Sequence, residues 1–346
     1  MRESKKLLSN VAIIRPILLM QLVFYHAFAP FSGAWKPIEG YPAIRTYWWL
    51  DKLSYAFMLE TFVFVSGYVF GFQVRTKGAN KLTAKNLMWG KFKRLMIPCV
   101  VFSFLYIFLF GDITQPFYKT IYSLFNGVGH MWFLPMLFWC FVGVWVIERL
   151  RLKAKWVILV LILLSICSFL PLPLQMGVAM YYMLFFYLGY ILQKENISPD
   201  KFYTLKHCII LFIAFCVLFP TLTIIREKIG CLIGGGIITK AVLLSLSNVA
   251  RIIYSSVGLA MIFCVVGTAR KNSEYLPIWV IYVGNLCLGV YLFQQFILNA
   301  IYYHTSSPMT INPFVLPWVG FLVTLLASLI LSWMFSKTRV GHFLIG

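Results

Sequence analysis

Ten separate stretches of this chain each run for about twenty mostly apolar residues, and that repetition limits the fold before any motif is considered. A helix rising 1.5 Å per residue needs roughly 20 such residues to cross a bilayer core of about 30 Å. The stretches lie at 10–30, 52–74, 95–111, 131–148, 155–171, 177–193, 207–225, 249–268, 277–300 and 314–336. Hydrophobic residues make up 61% of the chain and charged residues 12%, against about 25% charged in an ordinary soluble domain. A soluble enzyme, a disordered chain and a secreted disulfide scaffold are excluded. The expected fold is an all-α polytopic membrane protein of about ten transmembrane helices, one domain over 1–346 with no separate soluble domain. Segment 231–248 is apolar but short and Gly-rich. It is expected to be re-entrant or interfacial, with an eleventh span as the alternative.

The net charge of +20 would suggest nucleic acid in a soluble chain. Here the basic residues alternate between loops, as topology signals do. One side collects 21 Lys and Arg, including seven from Arg75 to Arg94 and four from Arg149 to Lys155. The other side holds seven: Lys36, Arg45, Lys52, Lys119, Arg226, Lys228 and Lys240. Arg15 and Arg251 fall inside or at the edge of spans. The asymmetry places both termini in the cytoplasm, consistent with an even number of spans. The expected charge partner is anionic membrane lipid, and no basic segment is long enough to form a nucleic-acid groove. A cleavable signal peptide ending at Ala27-Phe28-Ala29 is the alternative for the N-terminus, but Arg15-Pro16 interrupts its apolar run. The eight cysteines show no CxxC spacing and suggest small buried hydrophobes, with neither a metal site nor a disulfide framework.

Ionisable groups at bilayer depth cost several kcal/mol and are functional candidates. Of ten Asp and Glu, only Glu60 lies well inside a span. It is either a carboxylate neutralised by a neighbouring Arg or His to hold helices together, or part of a site. The first span carries Arg15 and His26, eleven positions apart. Eleven steps of about 100° bring both to nearly one face, about 16–17 Å apart along the axis. A neutral imidazole oriented by a carboxylate is what a general base requires, so His26 and Glu60 are the candidate catalytic pair. Lys91 and Arg94, three residues apart at the mouth of the third span, form with Arg15 a candidate site for an anionic cofactor's phosphates. They serve equally as topology anchors. No GxxxxGK[ST] or GxGxxG motif is present, which excludes the usual ATP and dinucleotide folds. Gly67-x3-Gly71 suggests a helix-packing face. Trp132 suits an interfacial anchor, and Gln294-Gln295 suit a substrate contact or a helix bridge.

Together these segments resemble the membrane acyltransferase-3 family, which moves acyl groups onto sugars and cell-envelope polymers. Arg15-x10-His26 is similar to its first-helix motif. The run from Leu59-Glu60 to Ser66-Gly67-Tyr68 resembles its acidic, Phe-rich segment, and Lys91-x-x-Arg94-Leu95-x-x-Pro98 its basic motif. His130-Met131-Trp132-Phe133-Leu134 resembles its His-x-Trp-Phe-Leu stretch. Gly284 to Gln294 resembles its late Gly-x-x-Ser-x-x-x-Tyr segment. Lys91 stands where Arg is usual, Cys287 where Ser is common and Gln294 where a His often appears. Over 1–346 the extracellular hydrolase-like domain of some members is not expected.

The resemblance implies an integral membrane O-acyltransferase of a bacterial inner membrane. Its co-substrate would be cytoplasmic acyl-CoA, most simply acetyl-CoA, and its acceptor a hydroxyl of a sugar or glycan. Arg15, Lys91 and Arg94 would bind the donor, and His26 would act as base with Glu60 orienting it. His130, Trp132, Ser66 and Gln294 would contact substrate. No permanently bound cofactor or metal is expected. The alternative is a transporter of a lipid-linked or polymeric glycan, which needs no acyl donor.

Overall fold

The computed structural model describes residues 2–77, 83, 85–111, 115–232, 236–271 and 276–345, with side chains from Asn10 onward. Lys81 and the side chains of Arg2, Lys5, Lys6 and Lys77, counted above as basic-loop residues, lie outside the described residues, as does the Gly-rich apex 233–235. The elements are all helical among the described residues. They are α1 (Arg2–Ser32), α2 (Arg45–Tyr55), α3 (Met58–Lys77), α4 (Ile97–Phe110), α5 (Phe117–Asn126), α6 (Phe133–Leu150) and α7 (Ala154–Ile166). Then follow α8 (Met176–Lys194), α9 (Leu205–Cys231), α10 (Ile237–Ala269), α11 (Ile278–Tyr303), α12 (Ser307–Thr310), α13 (Leu316–Ser336) and α14 (Arg339–Ile345). Two π-helical turns, Lys85–Trp89 and Phe92–Met96, lead into α4, and a 3-10 turn, Gly129–Trp132, leads into α6.

Nine segments among the described residues are long and apolar enough to cross a membrane. The tenth expected span, 155–171, contains the 13-residue apolar helix α7, about 20 Å long. Two expectations change. The segment 231–248 is no separate element: its described residues are the end of α9, the following turn and the first turns of α10. The polar residues Lys240, Ser245, Ser247 and Asn248 interrupt its hydropathy without interrupting the helix. The span 52–74 is bent at Ala56–Phe57, so α3 starts afresh at Met58 and Glu60 falls in its first turn. The free backbone N–H groups of a helix start favour a carboxylate there.

The chain divides into two compact units. The first comprises residues 1–58 and 272–346. Ala27, Phe28, Tyr47, Leu298, Tyr302 and Leu316 form its buried cluster. The Tyr302 hydroxyl donates to the Ala27 carbonyl at 2.7 Å, tying the ends of α1 and α11 together. Gly320 on α13 makes room for it, because a Cβ there would sit 2.5 Å from that hydroxyl. Ala27 meets Tyr302 while Arg15 lies within electrostatic reach of Cys287, so α1 and α11 run parallel. Gly289 against Ser332 and Tyr302 against Gly320 make α13 antiparallel to α11. Between α1 and α2, Tyr41 donates to the carbonyls of Pro308 and Ile311, both at 3.0 Å.

The second unit spans Leu59–Lys271. Within it α3 packs backbone to backbone against α8. A Cβ on Gly67 would sit 2.0 Å from the Phe186 carbonyl oxygen, one on Gly71 2.3 Å from that of Tyr190, and one on Gly189 2.1 Å from that of Phe64. Gly67-x3-Gly71 is therefore a packing face. Without a hydrophobic drive between helices in lipid, such backbone-to-backbone approach supplies the van der Waals contact that holds them. The register, 67 to 186 and 71 to 190, makes α3 and α8 parallel. The helices α9 and α10 form a hairpin in which the Cys208 and Cys264 sulfurs lie 3.3 Å apart. Ser165 of α7 donates to the Tyr181 carbonyl of α8 at 3.0 Å.

Candidate functional site

In the first unit, α1 carries His26, 6% exposed. Its Nδ1–H donates to Oε1 of Gln294 on α11 at 3.0 Å, and Gln294 has no exposed surface. A neutral imidazole that donates from Nδ1 carries its basic lone pair on Nε2. The Trp35 ring stacks beside the imidazole, centroids 5.5 Å apart and 26° between planes. The Tyr25 ring lies 4.9 Å from the imidazole and 4.4 Å from the Tyr55 ring, tilted to both. Arg15, on the same helix, is exposed. Gln294 was singled out in the sequence as a substrate contact or helix bridge, and not as the partner of the imidazole. The structure shows it against the histidine.

In the second unit, Glu60 has no exposed surface. Its Oε1 accepts from Arg251 Nε at 2.8 Å and from Tyr181 OH at 3.2 Å, and Arg251 Nη2 lies 2.7 Å from it. Nη2 also donates to the Tyr182 hydroxyl at 2.7 Å, and the guanidinium lies over the Tyr181 ring at 4.6 Å. Glu60 Oε2 is buried and meets no hydrogen-bond donor. These contacts match the helix-bridging alternative for Glu60. Arg251, Tyr181 and Tyr182 were not singled out from the sequence, although Arg251 was recognisable as an arginine within or beside a span. A second partly buried arginine, Arg226 on α9, donates to the hydroxyls of Ser247 and Tyr254 on α10.

The other candidates in this unit fall in separate surroundings. Lys91 packs against aromatic faces, its Nζ 3.8 Å from the Phe141 ring and 5.6 Å from that of Phe70, whereas Arg94 is exposed. Here the π-helical winding, with bonds from i to i+5, replaces the even helix face expected for residues three apart. The Ser66 hydroxyl donates to its own helix at the Phe62 carbonyl, 2.9 Å. His130 is buried in the 3-10 turn, and the Trp132 ring lies 6.3 Å from that of Tyr182. Gly127, at φ +82°, makes this turn possible. A Cβ there would meet the Trp132 nitrogen at 2.5 Å, and such a φ suits glycine alone at little cost. Among the described residues, no group of three His, Cys, Asp or Glu is placed to hold a metal ion.

What these residues offer chemically is a buried imidazole with a basic Nε2 in the first unit and an anchored carboxylate–arginine cluster in the second. The profile of the Acyl_transf_3 family, described as an acyltransferase domain, matches residues 10–337. No curated protein and no solved structure matches the chain significantly. With the match running from Asn10 in α1 to Lys337 after α13, the chain belongs to this acyltransferase family and is an enzyme of the membrane.

Proposed function

We propose that the protein transfers an acyl group, most simply acetyl, from cytoplasmic acyl-CoA to a hydroxyl of an exported or cell-envelope glycan, with His26 as general base. The observation that carries this is the buried His26–Gln294 hydrogen bond. With Nδ1–H committed to Gln294, Nε2 holds the lone pair that takes the hydroxyl proton. Trp35 beside the ring offers a flat apolar face of the kind that packs against a sugar. Orientation of His26 is assigned to Gln294, and Glu60 is assigned to holding Arg251 within its own unit. Arg15, Lys91 and Arg94 are assigned, each by its charge, to the phosphates of the donor. His130, Trp132 and Ser66 remain candidates for acceptor contact.

The charge asymmetry supports cytoplasmic termini, and the family resemblance supports a bacterial inner membrane. Two alignments support counting α7 as a crossing. Parallel α3 and α8 require an odd number of crossings between them, which α4, α6 and α7 supply. Parallel α1 and α11 require the same of the seven intervening spans. Ten crossings satisfy both, with residues flanking α7 completing its path. Mass spectrometry of envelope glycans from cells with and without the protein tests the activity. An acyl mass present only with the protein is expected, and glycan relocated but unmodified would favour transport.

A further inference from the structure

Two of the eight cysteines face each other across the α9–α10 hairpin. Cys208 sits in the first turn of α9 and Cys264 in the last turns of α10, with their sulfurs 3.3 Å apart. Other buried cysteines have different neighbours: Cys99 meets the Ser103 hydroxyl, Cys140 the sulfur of Met136, and Cys287 the Val283 carbonyl of its own helix. The surroundings hold the facing pair in place. Cys208 Sγ lies 3.4 Å from the Thr268 hydroxyl oxygen, and the Cys264 thiol donates to the Phe202 carbonyl at 3.1 Å. The Tyr203 ring packs on Gly267, where a Cβ would sit 2.5 Å from it, and this fixes the segment before α9 to the end of α10. A disulfide needs sulfurs about 2.05 Å apart, so closure asks for roughly 1.2 Å of movement. Cys208 is half-buried and Cys264 buried, so one thiol of the pair is open to a reagent and the other is held behind it.

We propose that Cys208 and Cys264 form a reversible disulfide, a modification site that ties α9 to α10 when the protein meets a peroxide. The inference is independent of the role assigned to His26. The Cys208 sulfur attacks the peroxide, the O–O bond breaks, and the products are Cys208 sulfenic acid and water or an alcohol. The Cys264 sulfur then bonds to the Cys208 sulfur and displaces hydroxide, which leaves as water with the Cys264 proton. Each sulfur loses one electron, and the peroxide gains both. The pair lies at the end of the hairpin flanked by Lys201, Lys206, Arg270 and Lys271, the side that the charge count assigns to the cytoplasm. There the glutathione pool keeps thiols reduced, so a disulfide at this position is a transient, redox-responsive bond and not a structural brace.

The test treats the purified full-length protein in detergent with hydrogen peroxide, blocks the remaining thiols with N-ethylmaleimide and maps peptides by mass spectrometry without reductant. The expected result is a linked Cys208–Cys264 peptide pair, lighter by two hydrogens than its parts, that forms ahead of any other pairing. Reduced glutathione should return both thiols. The melting temperature should rise on oxidation, because the bond closes a 56-residue separation and restricts the unfolded chain. Maleimide on both cysteines, at a peroxide dose that modifies the exposed Cys167, Cys216 and Cys231, overturns the proposal. So does the same mixture of pairings that the protein gives when oxidised in denaturant, and so does a bond that glutathione leaves intact. Cys208→Ser should lose both the linked pair and the melting shift, and a shift that survives in it overturns the tie between α9 and α10. Should Cys208→Ser fail to fold, the wild-type peptide map decides, since it needs no variant.

Discussion

Removing Arg251 should cost far more than removing the whole Arg251–Glu60 pair. Glu60 is fully buried, and its Oε1 faces Arg251 Nε and Nη2 at 2.8 and 2.7 Å. After Arg251→Met the carboxylate keeps only the Tyr181 hydroxyl at 3.2 Å and the N-terminal turn of α3. Breaking one side of a buried pair costs about 3–5 kcal/mol, because the remaining charge stays desolvated. Replacing both partners, as in Glu60→Leu with Arg251→Met, should recover most of that loss, since apolar substitutes for a buried pair are near neutral. A double-mutant cycle by denaturant titration in mixed micelles measures the coupling. A coupling near zero, or an Arg251→Met loss no larger than an exposed ion pair's ~1 kcal/mol, would refute the account of this cluster.

Three further predictions follow from packing, topology and charge. Gly67→Leu should separate α3 from α8 and lose folded protein, whereas the same change at Gly90, where a Cβ meets nothing within 4 Å, should be tolerated; detergent melting curves compare them. If α7 crosses the membrane, cysteines introduced at Lys153 and Pro171 in a cysteine-free background should react with an impermeant thiol reagent from opposite sides, and labelling from one side would contradict ten crossings. Lys91→Gln should raise KM for acetyl-CoA with little change in kcat in steady-state transfer, because a phosphate contact is made equally in ground and transition states.

The spans were legible because bilayer thickness imposes a length and a composition on each crossing. Glu60 stood out for the same reason: one carboxylate among apolar residues has few ways to be stable. Its partner was harder to find, since Arg251 lies 191 residues away and nothing local links the two. Gln294 lies 268 residues from His26, and again nothing local links the two. Segment 231–248 shows the limit of hydropathy as a guide to helix continuity. Backbone hydrogen bonds carry α10 straight through Ser247 and Asn248, whatever the polarity of the side chains. The π turns around Lys91 have no pattern signal, so spacing there misjudged which residues share a face.

The assignment of His26 is the centre of this account, and one rate tests it. Purified His26→Ala, checked for folding by its melting curve, should be assayed for acyl transfer from acetyl-CoA to envelope oligosaccharides. Loss of a general base lowers the rate by about 10²–10⁴, so transfer should fall by that factor while the protein stays folded. Transfer at the wild-type rate by folded His26→Ala would contradict the mechanism.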